Sequence, residues 1–447
     1  MMMKFLCIGE YCDLGAMYIR LVEAGHEVKV YVENPDYHEI YKGMLSFTPD
    51  WRLELDWIRQ AGKDGIILFE SASKGSVQDA LRQDGYQVIG GSAFGDKLEA
   101  DREYGQKILQ EIGMTIAKTF KFTDYDSAIN FIQSTNQRYV FKSNDVNCDR
   151  TRNYVAMAED GSDLVALLKD YKNKTSKNPI DKSLPIDFVL MEYISGIEIG
   201  VGAYFNGEHF LEPACLDWEH KRFFPGNLGE LTGEMGTVVT FQGADIIFQR
   251  TLLKLESRLK DSGYCGYINV NMIANKEGLW PLEFTSRFGY PGYAICAALQ
   301  QESWDSIFRR ILKKTSLFIA THPGFAIGIV LSVPPFPYSY GYEKLSKGLP
   351  ILFQPSFTES NQRCLHLSEV AKINGNLVTS GMTGNVATAV GIGNSILAAR
   401  SQAYNLATKV IVPNIRYRQD VGVNLISGDL EQLVNWGLID SSILQLS

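Results

Sequence analysis

The sequence predicts an α/β protein in which an open parallel sheet is followed by a mixed central region and a β-rich C-terminal part. Near the N-terminus, strand and helix patterns alternate as Phe5–Ile8, Leu14–Glu23 and Val28–Val32, and again as Gly65–Phe69, Ser76–Gln83 and Gln87–Ile89. In the centre, Asn206-Gly207 between two apolar runs predicts a tight hairpin turn. From Gly324 onward, apolar strand patterns and glycine-containing turns dominate. These observations favour a protein of several lobes, each built around a β-sheet.

The length of 447 residues exceeds what one hydrophobic core supports, so we expect several domains. The patterns place them at 1–97 (N-terminal α/β), 98–322 (central, with a small lid subdomain at about 115–190), 323–425 (β-rich) and 426–447 (extension). Within the central domain we expect single helices over Leu98–Ile112 and Ile246–Lys260, and a long loop over Asp217–Thr237. Ligands of an open parallel sheet bind beyond its carboxyl ends, which here carry Gly9–Leu14 and Glu70–Lys74.

Composition and charge narrow the class of protein. The formal net charge of -8 argues against a general nucleic-acid binder. Seven cysteines without a CxxC spacing indicate reduced thiols. No apolar stretch is long enough for a membrane span, and the first residues resemble a strand and turn rather than a signal peptide. We therefore expect a cytoplasmic protein, monomeric or homodimeric, that acts on small molecules.

Charged residues recur at the ends of predicted elements between positions 102 and 287. The cations are Arg102, Lys142 and Arg287, and the acids are Glu192, Glu198 and Glu283. Cations of this kind hold phosphates, and carboxylates hold ribose hydroxyls or a metal ion, so the set is suited to a nucleoside triphosphate with its metal. The simpler interpretation, solvated charges and a surface ion pair, stays open on these residues alone.

The order and spacing of longer motifs carry more information. The stretches FVLMEYISGIEIGVGAYFNGEHFLEPACLDWEHKR, GELTGEMGT, GYINVNM and PLEFTSRFG resemble the ATP-grasp ligases, and among them the phosphoribosylamine–glycine ligase family. The similarity continues into the C-terminal part through GLPILF, GNLVTSGMTGNVATAVG and YRQDVG. The resemblance implies an ATP-grasp fold with an N-terminal parallel-sheet domain, the cofactors ATP and Mg²⁺ (or Mn²⁺), and carboxylate and amine substrates. The implied reaction forms an amide through an acyl phosphate.

The resemblance also implies roles for individual residues. ATP would be bound by Arg102, Lys142, Glu192, Tyr193, Ile194 and Glu198, with 192–194 at the adenine, Glu198 at the ribose and Lys142 at the phosphates. The metal would be bound by Glu283, Asn271 and Thr285; Glu283 and Arg287 would serve catalysis; and the substrates would contact Glu70, Lys221, Arg222 and Arg287.

Four stretches depart from the family pattern. The loop expected over the phosphates reads NDVNCDRTRNY and has no glycine, although Arg150 and Arg152 supply charge. The first turn, GEYCDLGA, lacks the glycines and the basic residue of the family, and the turn FESASKG keeps only an acid and a small residue of the family's turn. Thr285 replaces an asparagine, and RFGYPG lacks two acids. Because these changes concentrate at the substrate end, they favour a specialised relative that joins another carboxylate–amine pair. The alternatives are a phosphoribosylamine–glycine ligase of purine biosynthesis, a nucleotide-binding protein without turnover, and a phosphotransferase.

Overall fold

The computed structural model describes residues 2–143, 153–177 and 187–446. Arg150 and Arg152, which sequence analysis placed over the phosphates, lie outside the described residues. Within those ranges no helix has both the length and the apolar character needed to cross a membrane. The described elements form one parallel sheet, one small antiparallel sheet and one large antiparallel sheet, together with short two-stranded ribbons.

The N-terminal sheet has five parallel strands in the order β3-β2-β1-β4-β5. They are β1 Lys4–Gly9, β2 Glu27–Val32, β3 Ser46–Phe47, β4 Gly65–Phe69 and β5 Gln87–Ile89, and the helices between them are α1 Gly15–Glu23, α2 Leu55–Gln60 and α3 Gly75–Gln83. β1 and β4 are buried along almost their whole length, as expected for strands covered by helices on both faces. Strand order reverses between β1 and β4, so the turns after these strands meet at one edge.

The single helix predicted over Leu98–Ile112 is wrong. The structure has two helices, α4 Ala93–Ala100 and α5 Arg102–Glu111. Asp101 separates them because its carboxylate accepts a hydrogen bond from the backbone amide of Tyr104 (3.0 Å), which caps the second helix. The cap fixes Arg102 as the first residue of α5.

The small antiparallel sheet forms a lobe with its own hydrophobic core. Its elements are β6 Thr119–Phe122, α6 Tyr125–Thr135, β7 Tyr139–Ser143, β8 Tyr154–Val155, α7 Ser162–Lys177 and β9 Phe188–Glu192, with strand order β6-β9-β7-β8. Phe141 and Phe188 are fully buried at the centre of this core, with ring centroids 4.9 Å apart. The lobe therefore packs as a unit that delivers β7 and β9 toward the large sheet.

The large sheet has eight antiparallel strands in the order β16-β15-β10-β11-β14-β17-β22-β19. In chain order, the strands after β9 are β10 Ile197–Phe205, β11 Phe210–Glu219, β12 Arg222–Phe224, β13 Leu228–Leu231, β14 Gly236–Thr240, β15 Gly266–Asn275, β16 Gly278–Thr285, β17 Phe325–Ser332, β18 Leu352–Phe353, β19 Leu365–Leu367, β20 Val370–Ile373, β21 Asn376–Thr379, β22 Asn385–Gly393 and β23 Val410–Ile411. Because β14 pairs with β17, this sheet continues across position 322.

The remaining helices all follow β14 in the chain. They are α8 Asp245–Arg250, α9 Glu256–Asp261, α10 Gly292–Leu299, α11 Trp304–Leu312, α12 Tyr342–Leu345, α13 Glu359–Cys364, α14 Ile396–Ala407 and α15 Leu430–Asn435. The continuous helix predicted over Ile246–Lys260 is wrong, since α8 ends before Thr251. The hydroxyl of Thr251 donates to the carbonyl of Ile247 (2.6 Å), and its backbone leaves the helical region.

Two predictions about the segment between β10 and β14 also need correction. The loop predicted over Asp217–Thr237 instead contains the end of β11, the β12–β13 ribbon and the start of β14. Asn206-Gly207 does not form a two-residue turn, because the side chain of Asn206 accepts hydrogen bonds from the amides of Glu208 (2.9 Å) and His209 (2.7 Å) and closes a four-residue loop.

Candidate active site

One face of the large sheet carries a row of polar residues on four neighbouring strands. Strand register places Gly200 of β10 opposite Asp217 of β11 and also opposite Asn271 of β15. Asn271 in turn lies opposite Glu283 of β16. Residues directly opposite each other share a face, so Glu198, Asp217, Glu219, Asn271 and Glu283 project to the same side.

Lys221 lies at the centre of three of these carboxylates. Its Nζ is 2.7 Å from Glu198 Oε1, 3.1 Å from Glu219 Oε2 and 3.4 Å from Glu283 Oε1. Burial lowers the pKa of Lys221, but the three carboxylates raise it more, so the pKa lies well above its ordinary value. The side chain is therefore a permanent cation in this arrangement.

Glu283 is influenced by three cations. Lys221 first, and then Lys142 and Arg102, lower the pKa of Glu283 to about 2, against the opposing effect of burial. Asn271, opposite Glu283, donates from Nδ2 to Glu219 (3.0 Å). Glu283 is thus an ionised carboxylate, and Asn271 lies opposite it in the strand register; carboxylate and amide oxygens are both ligands that Mg²⁺ accepts.

The donor set fits a magnesium ion that is shared with a bound phosphate. Within the described ranges, no group of three or more His, Cys, Asp or Glu residues has metal-binding geometry. The three glutamates converge on the Lys221 ammonium instead. Mg²⁺ commonly uses one or two carboxylates together with phosphate oxygens and water, so Glu283 and Asn271 suffice as protein ligands. Thr285 lies two residue pairs further along, opposite Asn269.

Two further cations face this row from neighbouring elements. Lys142 lies near the end of β7, where burial, followed by the charges of Arg102 and Lys221, lowers its pKa to about 8. Glu283 and Glu198 partly oppose this shift. The mutual influence of Lys142, Arg102 and Glu283 shows that the small lobe and the start of α5 meet the large sheet at one place.

Glu192, Tyr193 and Ile194 form the connection from β9 of the small lobe to β10 of the large sheet. The amide of Glu192 donates to the Lys118 carbonyl (2.8 Å), and the Tyr193 ring stacks under the Arg138 guanidinium at 3.8 Å. The three residues therefore line the junction between the lobes, and the chain continues directly to Glu198 at the start of β10.

Arg287 lies beyond the end of β16 and is held by a residue that sequence analysis did not identify. Its Nε donates to Glu99 Oε1 (3.1 Å), and the other oxygen of Glu99 accepts from the amide of Ser286 (2.8 Å). Near it, burial and the charge of Glu70 raise the pKa of Asp13 to about 7, although Arg287 lowers it. No sequence pattern signals Glu99, since its partner lies almost two hundred residues away.

The carboxylate of Glu70 is hydrogen-bonded to the turn that follows β1. Its carboxylate accepts from the amides of Tyr11 (3.2 Å), Cys12 (2.8 Å) and Leu14 (3.3 Å) and from the hydroxyl of Tyr18 (2.9 Å). Only 3% of Glu70 is exposed. Through these contacts Glu70 stabilises the turn after β1. Its carboxylate is therefore less available for the substrate contact that the sequence predicted.

The other residues predicted near substrates lie on or beside the β12–β13 ribbon. Arg222 donates from Nη1 to the carbonyl of Gly229 (2.8 Å), which fastens the ribbon. His220 accepts from the amide of Gly422 (3.2 Å), and burial lowers its pKa to about 4. Lys221 is the member of this segment that points into the row of carboxylates.

Glu219, Asp217 and Glu234 were not identified from the sequence. Burial first, and then Glu219, raise the pKa of both Asp217 and Glu234 well above the ordinary value. Asp217 also accepts from Asn269 Nδ2 (2.6 Å). Asp217 and Glu219 alternate with apolar residues, as is typical of a strand. Because the sequence analysis predicted a loop here, it did not identify this pattern.

The chain is similar to known proteins in sequence and in fold. Residues 100–293 match the family model described as phosphoribosylglycinamide synthetase, ATP-grasp (A) domain. Phosphoribosylamine–glycine ligase of Listeria innocua is 23% identical over 433 residues, which cover 94% of this chain and 99% of that protein. The crystal structure of phosphoribosylamine–glycine ligase from Thermotoga maritima superposes with a TM-score of 0.67 at 20% identity, covering 94% of this chain and all of that one.

A biotin carboxylase domain of Hydrogenobacter thermophilus 2-oxoglutarate carboxylase, solved with MgADP and bicarbonate, superposes with a TM-score of 0.62 at 11% identity. It covers the whole of this chain and 98% of its own. The α/β fold predicted from the sequence is confirmed as that of an ATP-grasp protein. Residues 100–293 match an ATP-grasp domain, and the chain as a whole is similar to the phosphoribosylamine–glycine ligases, which confirms the resemblance stated above.

Proposed function

We propose that this protein is an ATP- and Mg²⁺-dependent ligase that joins a small carboxylate to an amine. The observation that supports this most strongly is the convergence of Lys142, Arg102 and Lys221 on the carboxylates Glu198 and Glu283 at the junction of the two lobes. Separate cations that face ionised carboxylates across a cleft are suited to a triphosphate and its metal.

In this proposal Lys142 and Arg102 bind the phosphates of ATP, and the connection at 192–194 lies along the adenine. Glu283 and Asn271 would hold Mg²⁺, which neutralises charge on the β- and γ-phosphates when bound. Lys221, freed from Glu283, would stabilise the transferred phosphoryl group. Arg287, oriented by Glu99, would hold the carboxylate substrate. Most of the catalytic effect would come from positioning and charge neutralisation.

The reaction balances in two transfers. A carboxylate oxygen of the substrate attacks the γ-phosphorus, and ADP leaves, giving an acyl phosphate. The amine nitrogen then attacks the acyl carbon, inorganic phosphate leaves, and the nitrogen loses a proton. The products are an amide, ADP and phosphate.

We further propose that the amine is not phosphoribosylamine. A phosphate needs backbone amides or cations, and the turn after β1 is the natural place for it. Here the amides of Cys12 and Leu14 already donate to Glu70. Asp13 adds a second carboxylate, and Arg287 is paired with Glu99. These contacts support a site that disfavours an anionic ribose phosphate.

One comparison favours the alternative, a phosphoribosylamine–glycine ligase of purine biosynthesis: the Listeria innocua protein of that name covers nearly the whole chain. Measurement of ADP release with different pairs of substrates distinguishes the two functions. We expect ADP release to require a carboxylate and an amine together, and to be weak with phosphoribosylamine plus glycine. Robust turnover with that pair would establish the alternative.

The site itself is tested by Glu283→Ala, which should abolish ADP release because the metal carboxylate is lost. Glu277→Ala, in the exposed turn between β15 and β16, is the matched control. Normal ADP release by the Glu283 variant would overturn the assignment of the metal site. ATP binding without ADP release for any substrate pair would instead indicate a nucleotide-binding protein that has lost turnover.

A further inference from the structure

The chain between β23 and the C-terminus contains the motif YRQDVG, at residues 417–422, which the proposed site does not use. Arg418 in this loop is only 1% exposed, although its guanidinium is permanently charged. Arginine is almost never fully buried unless its N–H groups are paired, so its partners indicate its role. Two of these partners lie on the segment that carries Lys221.

The guanidinium of Arg418 connects the loop to the β12–β13 ribbon. Its Nη1 donates to the carbonyl of Arg222 (3.0 Å), and its Nη2 donates to Oδ1 of Asn227 (2.8 Å). Nε and Nη2 also donate to the carboxylate of Asp420, which neutralises the charge. Asp420 in turn accepts from the amide of Gly226 (2.8 Å). The planar guanidinium and its carboxylate therefore hold both β12 and the turn that follows it.

Lys221 lies between two contacts with this loop. Before it in the chain, Nε2 of His220 accepts from the amide of Gly422 (3.2 Å), and after it the carbonyl of Arg222 accepts from Arg418. Lys221 belongs to neither neighbouring strand, because it follows the end of β11 and precedes the start of β12. The two loop contacts therefore fix the backbone from which the ammonium reaches the carboxylates.

The loop is itself anchored to α14. The hydroxyl of Tyr404 donates to the carbonyl of Arg418 (2.8 Å) and accepts from the amide of Val421 (3.2 Å). Arg400, one turn earlier on the same helix, donates to the carbonyls of Gln419 (2.6 Å) and Val421 (3.1 Å). A continuous series of hydrogen bonds thus runs from α14 through the loop to the residues on either side of Lys221.

We propose that Arg418 is a positioning residue that holds Lys221 where its ammonium meets the carboxylates and the transferred phosphoryl group. A lysine ammonium sits on a flexible four-carbon stem, so its placement depends on a fixed backbone beneath it. A two-stranded ribbon such as β12–β13 is marginally stable alone, and the loop supplies the support that it lacks. This inference rests on the proposed ligase function for the role of Lys221.

Arg418→Lys tests the proposal in the full chain, with the carboxylate–amine pair that gives the fastest ADP release. A single ammonium keeps the buried charge but does not reproduce the fork that reaches Arg222 and Asn227. We expect kcat to fall by about 10- to 100-fold, as for a misplaced catalytic group, while ATP affinity measured by calorimetry stays within about threefold. Lys142 and Arg102, which bind the phosphates in the proposed function, belong to other elements. An unchanged kcat, or equal losses of kcat and ATP affinity, would overturn the proposal.

Lys221→Met shows whether Arg418 acts through Lys221. If it does, adding Arg418→Lys should lower kcat no further, because the group that is positioned is already absent. The same fold loss in both backgrounds would instead establish a purely structural role. Tyr404→Phe loosens the loop from α14 without touching the ribbon, and should lower kcat less than Arg418→Lys does. Arg250→Lys, exposed at the end of α8, is the matched control and should behave as the unmodified chain.

Hydrogen exchange of backbone amides measures the same contacts without turnover. The amide of Gly226 donates to Asp420, and the amide of Thr232 donates to the carbonyl of Lys221 (2.8 Å each). In Arg418→Lys both amides should exchange about tenfold faster or more, whereas the amides of β15 should not change. Unchanged exchange at both amides contradicts the proposal. If the ligase function alone fails, no substrate pair releases ADP from any of these chains, yet the faster exchange in Arg418→Lys remains.

Discussion

The lowered pKa of Lys142 predicts how ATP binding depends on pH. With a pKa of about 8, the ammonium is about 90% protonated at pH 7 and about 10% at pH 9. Only the charged form pairs with phosphate, so binding above pH 8 requires proton uptake. ATP binding is therefore expected to weaken as the pH rises. The apparent Kd should increase about tenfold between pH 7 and 9, or about 1.4 kcal/mol.

Lys142→Arg provides the control, because a guanidinium stays charged throughout this range. ATP affinity of both proteins would be measured by calorimetry at pH 7, 8 and 9 with constant Mg²⁺. The arginine variant should show a flat profile over the same interval, while Lys142 shows the decline. Parallel profiles for the two proteins would refute the reasoning, since the titrating group would then lie elsewhere.

Three further substitutions test other contacts. Lys221→Met leaves three carboxylates without their shared cation, so the free energy of urea-induced unfolding should fall by about 1–2 kcal/mol. Added Mg²⁺ should raise the unfolding free energy of this variant more than that of the unmodified protein. A variant whose stability does not respond to Mg²⁺ would argue against a cation site. Gly200→Ala places Cβ 2.2 Å from Asp217 Oδ1 and should cost about 1–3 kcal/mol in the same assay, whereas Gly233→Ala, with open space around it, should be neutral. Glu70→Gln turns one acceptor oxygen into a donor facing backbone amides and should lower the Tm, with loss of about 1–3 kcal/mol; an unchanged Tm would show that the turn is held by other contacts.

Local pattern was sufficient for much of the fold. The alternation of apolar strands and capped helices predicted β1, α1, β2 and β4 within one or two residues, because each element signals itself over a short window. Errors fell where one side chain competes with the backbone. Asp101 and Thr251 each end a helix that periodicity alone continues, and Asn206 closes a longer loop than its dipeptide indicates.

Some members of the candidate site were predictable, but their pairing was not. Lys142 and Glu283 could be named because each lies in a recognisable strand of a family motif. The partner of Arg287, by contrast, is Glu99, and nothing local connects two residues so far apart in the chain. Glu219 was hidden for another reason, since a run with many charges and glycines resembles a loop until strand pairing reveals its alternation.

The position of Lys221 among Glu198, Glu219 and Glu283 has a consequence for catalysis. A single ammonium holds the three carboxylates at distances of 2.7–3.4 Å, so in this arrangement it supplies the positive charge that Mg²⁺ would bring with the nucleotide. Two cations at one carboxylate repel each other, so a metal ion held by Glu283 would weaken the contact of Lys221 with Glu283. In the proposed ligase, the Lys221 ammonium would then be available to stabilise negative charge on the transferred phosphoryl group. Binding of Mg–ATP would thereby convert a structural lysine into one that stabilises phosphoryl transfer.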